Sequence, residues 1–299
     1  MARREASLML SEPTRVGRFE QHTLPNSEVV YFEPDKHAYY GEIKENSKSE
    51  GGYSFVRSSR LTGVSTIAKF LDANVDPLMH WAAKLDRVGV AELASQSINA
   101  GGDLTWLCEE KTISEALREA GATWADVRDR AAVRGTNVHE RIFLALATGA
   151  EPPSLANLSE EERGYGQAVF AWWRDRQPEP IAAEQVTVDH VRGFAGRFDL
   201  LAIVDGSRDL FDAKTRETGK VRKSDHVQLV GYDTSNVVCG LGAAERKVAL
   251  ILMPDGTYRE EECVATEADF NSALLACQSG KHLDKRMREA GRAREAVAA

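Results

Sequence analysis

Leu210-Phe211-Asp212-Ala213-Lys214 decides the reading of this chain. Side chains in a strand alternate between faces, so Asp212 and Lys214 point one way while Phe211 points into the core. Alone, an Asp-x-Lys triplet is equally a surface ion pair. Here it ends an apolar strand and follows another, Gly196 to Val204, that carries Asp199 thirteen residues earlier. Between them Asp205-Gly206 is a dipeptide suited to a tight hairpin turn. The hairpin predicts that Asp199 and Asp212 come within reach of one metal ion. Two carboxylates held together repel and raise one pKa, a conflict that a divalent cation resolves. Oxygen ligands in an aqueous setting favour Mg²⁺ or Mn²⁺ over zinc. A lysine beside them can position or deprotonate a water, or stabilise charge on a phosphorane-like transition state. The combination points to phosphodiester hydrolysis.

Upstream, Arg134-Gly135-Thr136-Asn137-Val138-His139 lies in a predicted helix from Trp124 to about Thr148, with Thr123 as N-cap. Val127, Ala131, Val138, Ile142 and Leu146 give it an apolar stripe, and Gly149 followed by Pro152-Pro153 ends it. Gly135 and Thr136 are small neighbours that leave the His139 imidazole open on its face, as a metal ligand or as a structural histidine. Downstream, Gln228 and Tyr232 form an i, i+4 pair on a predicted helix from about Ser224 to Val238. Both are neutral hydrogen-bonding groups, suited to orienting a phosphate, a water or the lysine. The loop between strand and helix carries Lys214, Arg216, Lys220, Arg222 and Lys223. Such a loop is ordinarily just solvated, but beside a metal site it is a phosphate-contacting patch.

Further outward, Ala183 to Val191 reads as a strand ahead of the central pair. Lys247 to Met253 and Thr257 to Glu261 read as strands after it, and Glu267 onward as a terminal helix. Ser159-Glu160-Glu161-Glu162 has the form of a capping box opening a helix through Trp172 and Trp173, two tryptophans read as core. The N-terminal part reads as a β-hairpin, Val29 to Phe32 with His37 to Tyr40, and Tyr53 to Val56 as a third strand. Lys44 to Gly52 forms a polar loop between the last two. From Thr62, a plausible N-cap, to Trp124 the pattern is helical, with Pro77 in the first turn of a second helix. The expected division is a hairpin and helical region over 1–122 and an α/β core with a C-terminal helix over 123–299.

The 299 residues suit about two domains, or one large α/β domain with an extension. Lys and Arg number 38 against 46 Asp and Glu, a net charge of −8, which argues against coating nucleic acid by bulk charge. One locally basic groove remains compatible with it, because the field in a cleft depends on nearby charges. No apolar stretch approaches the roughly 20 residues of a membrane span, and Ser7-Leu8-Met9-Leu10 is too short for a signal peptide. A cytoplasmic protein without membrane partners is expected. Cys108, Cys239, Cys263 and Cys277 are widely spaced with no CxxC pair, so structural zinc and iron–sulfur sites are not expected and reduced, mostly buried thiols are. There is no GxxxxGK(S/T) phosphate loop, hence no helicase motor of its own.

The ordered set His139, Gly196-Arg197-Phe198-Asp199, Asp212-Ala213-Lys214 and Gln228-x-x-x-Tyr232 resembles the RecB-like branch of the PD-(D/E)XK nuclease superfamily. That branch includes phage exonucleases and CRISPR-adaptation nucleases. The resemblance spans roughly Arg134 to Met253, and more loosely Leu61 to Ile67 and Leu78 to Trp81. It implies an α/β, restriction-endonuclease-like core: a small central mixed sheet flanked by helices, with the N-terminal helices walling a DNA channel. It implies that His139, Asp199, Asp212 and the backbone carbonyl of Ala213 bind Mg²⁺ or Mn²⁺, that Lys214 is catalytic, and that Gln228 and Tyr232 support it. Glu184 matches a frequent acidic position, or is a rim carboxylate paired with a loop Arg or Lys. Arg134, Thr136, Arg197, Thr215, Arg216, Lys220 and Lys223 are the expected nucleic-acid contacts. The implied function is metal-dependent DNA exonuclease activity in phage or bacterial recombination or processing, with a recombination or replication partner. An endonuclease on the same fold and a non-catalytic DNA-binding module are the alternatives. Two departures stand out: the acid of the last motif is Asp212 and not Glu, which is common in this branch and shortens the reach to metal, and the iron–sulfur cysteines of many relatives are absent.

Overall fold

A computed structural model of the chain describes residues 12–71, 75–108 and 110–298. The N-terminal segment weighed as a signal peptide lies largely outside them. The protein is of α/β class, built around a large mixed sheet flanked by helices. The chain divides into two units, Met1–Asp72 with His139–Ala299, and Ala73–Val138, which differs from the division expected at residue 122.

The first unit opens with β1 (Thr14–Val16), β2 (Phe19–Thr23), β3 (Val29–Glu33) and β4 (Ala38–Tyr40), an antiparallel four-stranded sheet where a hairpin was expected. Gly17, at φ +61°, makes the β1–β2 turn that adds the extra pair. The strand at Tyr53 does not join this sheet. As β6 (Tyr53–Phe55) it pairs with β5 (Ile43–Glu45), so the start of the expected loop is itself a strand. Thr62 is no N-cap: Thr62–Gly63 form β7, parallel to a central strand, and Gly63 precedes the short helix α1 (Val64–Ala68). Thr is both a capping residue and a strand former, and here a distant pairing decides between the two roles.

The second unit consists of α2 (Val75–Asn99), α3 (Glu110–Glu119) and α4 (Trp124–Val138). Thr123 caps α4 as expected, its hydroxyl accepting from Asp126 N–H at 3.2 Å while Asp126 accepts from Thr123 N–H at 3.1 Å. The predicted single helix to Thr148 is interrupted, because His139–Phe143 form a π turn before α5 (Leu144–Thr148). Gly149 ends α5 at φ +73°.

Back in the first unit, α6 (Glu160–Arg176) carries the expected capping box: Ser159 accepts from Glu162 N–H at 3.3 Å and Glu162 from Ser159 N–H at 3.1 Å. Then follow β8 (Glu179–Asp189), β9 (Phe194–Val204), β10 (Ser207–Thr215), α7 (Lys223–Val238), β11 (Arg246–Leu252), β12 (Tyr258–Glu262) and α8 (Glu267–Ala298). The sheet order is β12-β11-β10-β9-β7, with β8 on the other edge of β9. β10 runs parallel to β11 and antiparallel to β9. Asp205 and Gly206, at φ +53° and +84°, close the tight β9–β10 hairpin, the geometry for which Asp-Gly is suited.

One face of this sheet buries Phe198, Leu210 and Ile251 against Val64 of α1, Leu229 of α7 and Phe270 of α8. On β10 the next residue, Phe211, faces the opposite way, with Trp172 of α6 at 5.0 Å and Phe143 of the π turn stacked on Trp172. Trp172 is fully buried, as read, and Trp173 half-buried. A further cluster joins Val30, Phe32 and Tyr39 of the N-terminal sheet to Val186 and Val188 of β8 and Cys239, so those strands belong with the central sheet. Cys239 and Cys277 are buried free thiols and Cys263 is half-buried; the side chain of Cys108 lies outside the described residues. No helix among the described residues is long and apolar enough to cross a membrane.

Candidate metal centre

The site forms where the sheet forks. β8 occupies one edge of β9 throughout, while β10 follows the other edge only from Val204 to Leu200, opposite Ser207 to Phe211. At its start β9 gives that second edge to β7, pairing Phe194 with Thr62 and Ala195 with Gly63. In the gap between, a side chain replaces the ladder: Asp199 Oδ2 accepts from Ala213 N–H at 2.6 Å. Gly196 is required at the fork, because a Cβ there would lie 2.5 Å from Cε1 of Tyr232.

His139 begins the π turn, a kind of helix irregularity found often at functional sites. Its Nδ1 lies 3.5 Å from Asp199 Oδ1 and 4.0 Å from Glu184 Oε1. One ligand atom from each of His139, Glu184 and Asp199 lies within 4.8 Å of the others. Glu184 falls opposite Asp199, between the pairs Ala183–Leu200 and Gln185–Phe198, and its φ is +48°. A non-glycine residue in that left-handed conformation stores about 1–3 kcal/mol of strain, a feature that clusters at functional sites. Its other oxygen, Oε2, pairs with Arg197 Nε at 3.0 Å. Glu184 is thus both part of the cluster and ion-paired, with its cation on the neighbouring strand and not on a loop.

Asp212 is not one of these three; its Oδ2 is ion-paired with Lys214 Nζ at 2.5 Å. Lys214 donates to Gln228 Oε1 at 3.4 Å, and Gln228 Nε2 donates to the Tyr232 hydroxyl at 2.6 Å. The i, i+4 pair therefore acts as a chain, with Tyr232 holding Gln228 and Gln228 holding the lysine. The Ala213 amide is engaged with Asp199, which fixes this part of β10 against β9.

The charges here are tightly coupled. Burial alone would lower the His139 pKa, but the Asp199 and Glu184 carboxylates outweigh it and carry the imidazole up to about 9. Burial raises Glu184 to about 7, reinforced by Asp199 and opposed by Arg197. Burial likewise raises Asp212 to about 6, against the pull of Lys214. Asp199 resists burial and is held low by His139 and Lys214. Lys214 resists it too and is raised by Asp212 and Asp199. Burial and the two aspartates keep Tyr232 neutral, well above the usual phenol value. A buried, crowded set of carboxylates with one imidazole has the donor chemistry of a hard divalent-cation site.

No protein-family model matches the chain, and no curated protein matches it in sequence. Among solved structures it is similar to one titled "Crystal structure of SSO0001", at 19% identity and a TM-score of 0.28 over 37% of this chain and 54% of that one. The chain spans about half of that structure's length.

The expected nucleic-acid contacts divide. Arg134 and Thr136 stand on α4, in the second unit. Arg197 is engaged with Glu184, and its guanidinium lies 5.7 Å from the centroid of the Phe32 ring. Arg216 is held by Asp225, with its Nη2 at 2.7 and 2.8 Å from the two carboxylate oxygens, so it braces the loop against α7. Thr215 is half-buried, and Lys220 and Lys223 are exposed. The sequence reading missed Asp225, although an acid three residues after Arg222 at a helix start is a capping signal. It also missed Tyr39, a buried phenol pushed up to about 12 by burial that feels both Arg197 and Glu184. Tyr39 comes from β4, far away in sequence, and nothing local marks it.

Proposed function

We propose that the protein is a Mg²⁺- or Mn²⁺-dependent deoxyribonuclease that hydrolyses phosphodiester bonds on a restriction-endonuclease-like core. The observation that carries this reading is the meeting of His139, Asp199, Asp212, Lys214, Gln228 and Tyr232 from a π turn, two strands and a helix. Residues matched by accident would scatter over the surface instead of joining in one bonded set. His139, Asp199 and Asp212, with Glu184, would hold the ion, whose Lewis acidity and charge serve the phosphoryl oxygens. Lys214 donates to the charge developing at the scissile phosphate, steadied from one side by Asp212 and from the other by Gln228. Tyr232, kept neutral, fixes Gln228 without adding charge. Retirement to a binding module would normally lose a ligand or the lysine, whereas every position is filled. The resemblance further suggests exonuclease action on DNA ends, leaving 5′-phosphates, in cytoplasmic recombination or processing of phage or bacterial DNA with a recombination or replication partner.

The test is incubation with end-labelled linear single-stranded, linear duplex and closed circular DNA in Mn²⁺, Mg²⁺ or EDTA. Metal-dependent shortening of linear DNA is expected. Cutting of closed circles would replace exonuclease with endonuclease, and no cleavage of any substrate would overturn the reading.

A further inference from the structure

A groove of about 1150 Å³ lies between β4, β7 and the stretch of α8 from Lys281 to Arg292. Five cations line it, Arg60, Lys281, Lys285, Arg288 and Arg292, against a single carboxylate, Glu289, which sits 3.9 Å from Lys285. This runs counter to the chain as a whole, whose net charge is −8. Residues 281, 285, 288 and 292 recur at helical spacing, so α8 presents them as one stripe. At 1.5 Å per residue the stripe is about 16 Å long, and its four cations are enough to contact several phosphates of a strand. Lys281 is anchored by donating to Thr62 Oγ1 at 2.6 Å, while the Lys285 side chain is 72% exposed and its charge projects outward.

The groove is tied to the metal centre through strand pairing. Thr62 and Gly63 line it and pair with Phe194 and Ala195 of β9, and Asp199 follows Ala195 on the same strand. Four residues of strand span about 13 Å. Tyr39 lines the groove and feels the charges of Glu184 and Arg197 from its buried end.

We propose that this groove is the track for the DNA backbone, holding phosphates several nucleotides from the one that is cut. The proposal rests on the nuclease reading and names how that centre grips its substrate: α8 and β7 hold the strand, and the fork between β9 and β10 receives its end. A stripe of cations lining a concave groove, one wall of which is a strand that pairs with the strand carrying Asp199, favours a nucleic-acid strand over a flat anionic surface.

The test is fluorescence anisotropy of a labelled 20-nucleotide strand in EDTA, over a salt series, with wild type, Lys285→Glu/Arg288→Glu and Arg60→Glu. A control, Arg163→Glu/Arg174→Glu, reverses the same number of charges on the exposed face of α6. Each phosphate contact contributes about 0.7–0.9 to the slope of log K against log salt. The double groove variant should lose about 1.5 in slope and bind at least tenfold more weakly; Arg60→Glu should lose about half that, and the control should match wild type. Unchanged binding in the groove variants, or equal loss in the control, would overturn the proposal. If the groove variants bind normally while wild type cleaves, the groove fails and the nuclease stands. If they lose binding and wild type never cleaves, the groove stands and the nuclease reading fails.

Discussion

Gly196→Ala probes the packing on which the site depends. The added methyl would lie 2.5 Å from Cε1 of Tyr232, 3.0 Å from its Cδ1 and 2.9 Å from Cγ2 of Val64. Carbon atoms rest about 3.5–4.0 Å apart, so the Tyr232 ring must retreat by about 1 Å. It has little room, because the neighbouring Gly231 is itself packed so closely on Phe270 that a Cβ there would meet its Cε2 at 2.5 Å. Overpacking of this kind costs about 1–3 kcal/mol, and for a unit of this size about 2–4 °C of Tm per kcal/mol. Moving the ring also moves Gln228 and with it the support of Lys214, so cleavage should fall while Mn²⁺ affinity stays near wild type. The assay is thermal and urea unfolding of Gly196→Ala, Tyr232→Ala and the double variant, with cleavage rates in parallel. Removing the ring should relieve the methyl's penalty, giving a coupling of about 1 kcal/mol or more. An unchanged Tm, or strictly additive losses, would show that Gly196 and the Tyr232 ring are not packed against each other.

Other expectations follow from the same geometry. With its pKa raised to about 9 against 6.5 unfolded, His139 keeps its stabilising proton below neutral pH and loses it as pH rises, so metal-free protein should lose on the order of 2 kcal/mol between pH 7 and 9. Denaturation in EDTA at both pH values checks this, and His139→Gln should abolish the difference. Arg246→Met strands the fully buried Asp209, which Arg246 reaches at 2.7 and 3.1 Å. Because Arg246 itself is partly exposed, the loss should be about 2 kcal/mol, below the 3–5 of a fully buried pair, read by urea unfolding. Ser159→Ala should cost about 1 kcal/mol through loss of the capping box, also read by unfolding, without changing cleavage.

What the sequence revealed follows local chemistry. Alternation and the Asp205-Gly206 turn mark β9 and β10, and the i, i+4 spacing of Gln228 and Tyr232 places them on one face of α7, because each signal is contained within a few residues. The π turn at His139 was hidden, since Val138, Ile142 and Leu146 recur at the i, i+4 spacing of an ordinary helix. Thr62–Gly63 as a strand was hidden because its partner lies some 130 residues away. Glu184 was legible as an acid in a strand, but its left-handed backbone and its place opposite Asp199 arise only when β8 and β9 pair. Arg216 looked like a free phosphate contact because loop cations carry no mark of the carboxylate that will hold them, here Asp225. The basic stripe on α8 needed the groove around it to distinguish it from a solvated helix face.

The central claim, a metal centre served by Lys214, is tested most directly by single-turnover cleavage of end-labelled linear DNA in Mn²⁺ by wild type and Lys214→Ala, with Mn²⁺ binding measured by calorimetry. Wild type should cleave in a metal-dependent manner abolished by EDTA, and Lys214→Ala should lose about 100-fold or more with Mn²⁺ still bound. Cleavage that persists in EDTA, or at the wild-type rate in Lys214→Ala, would contradict the claim.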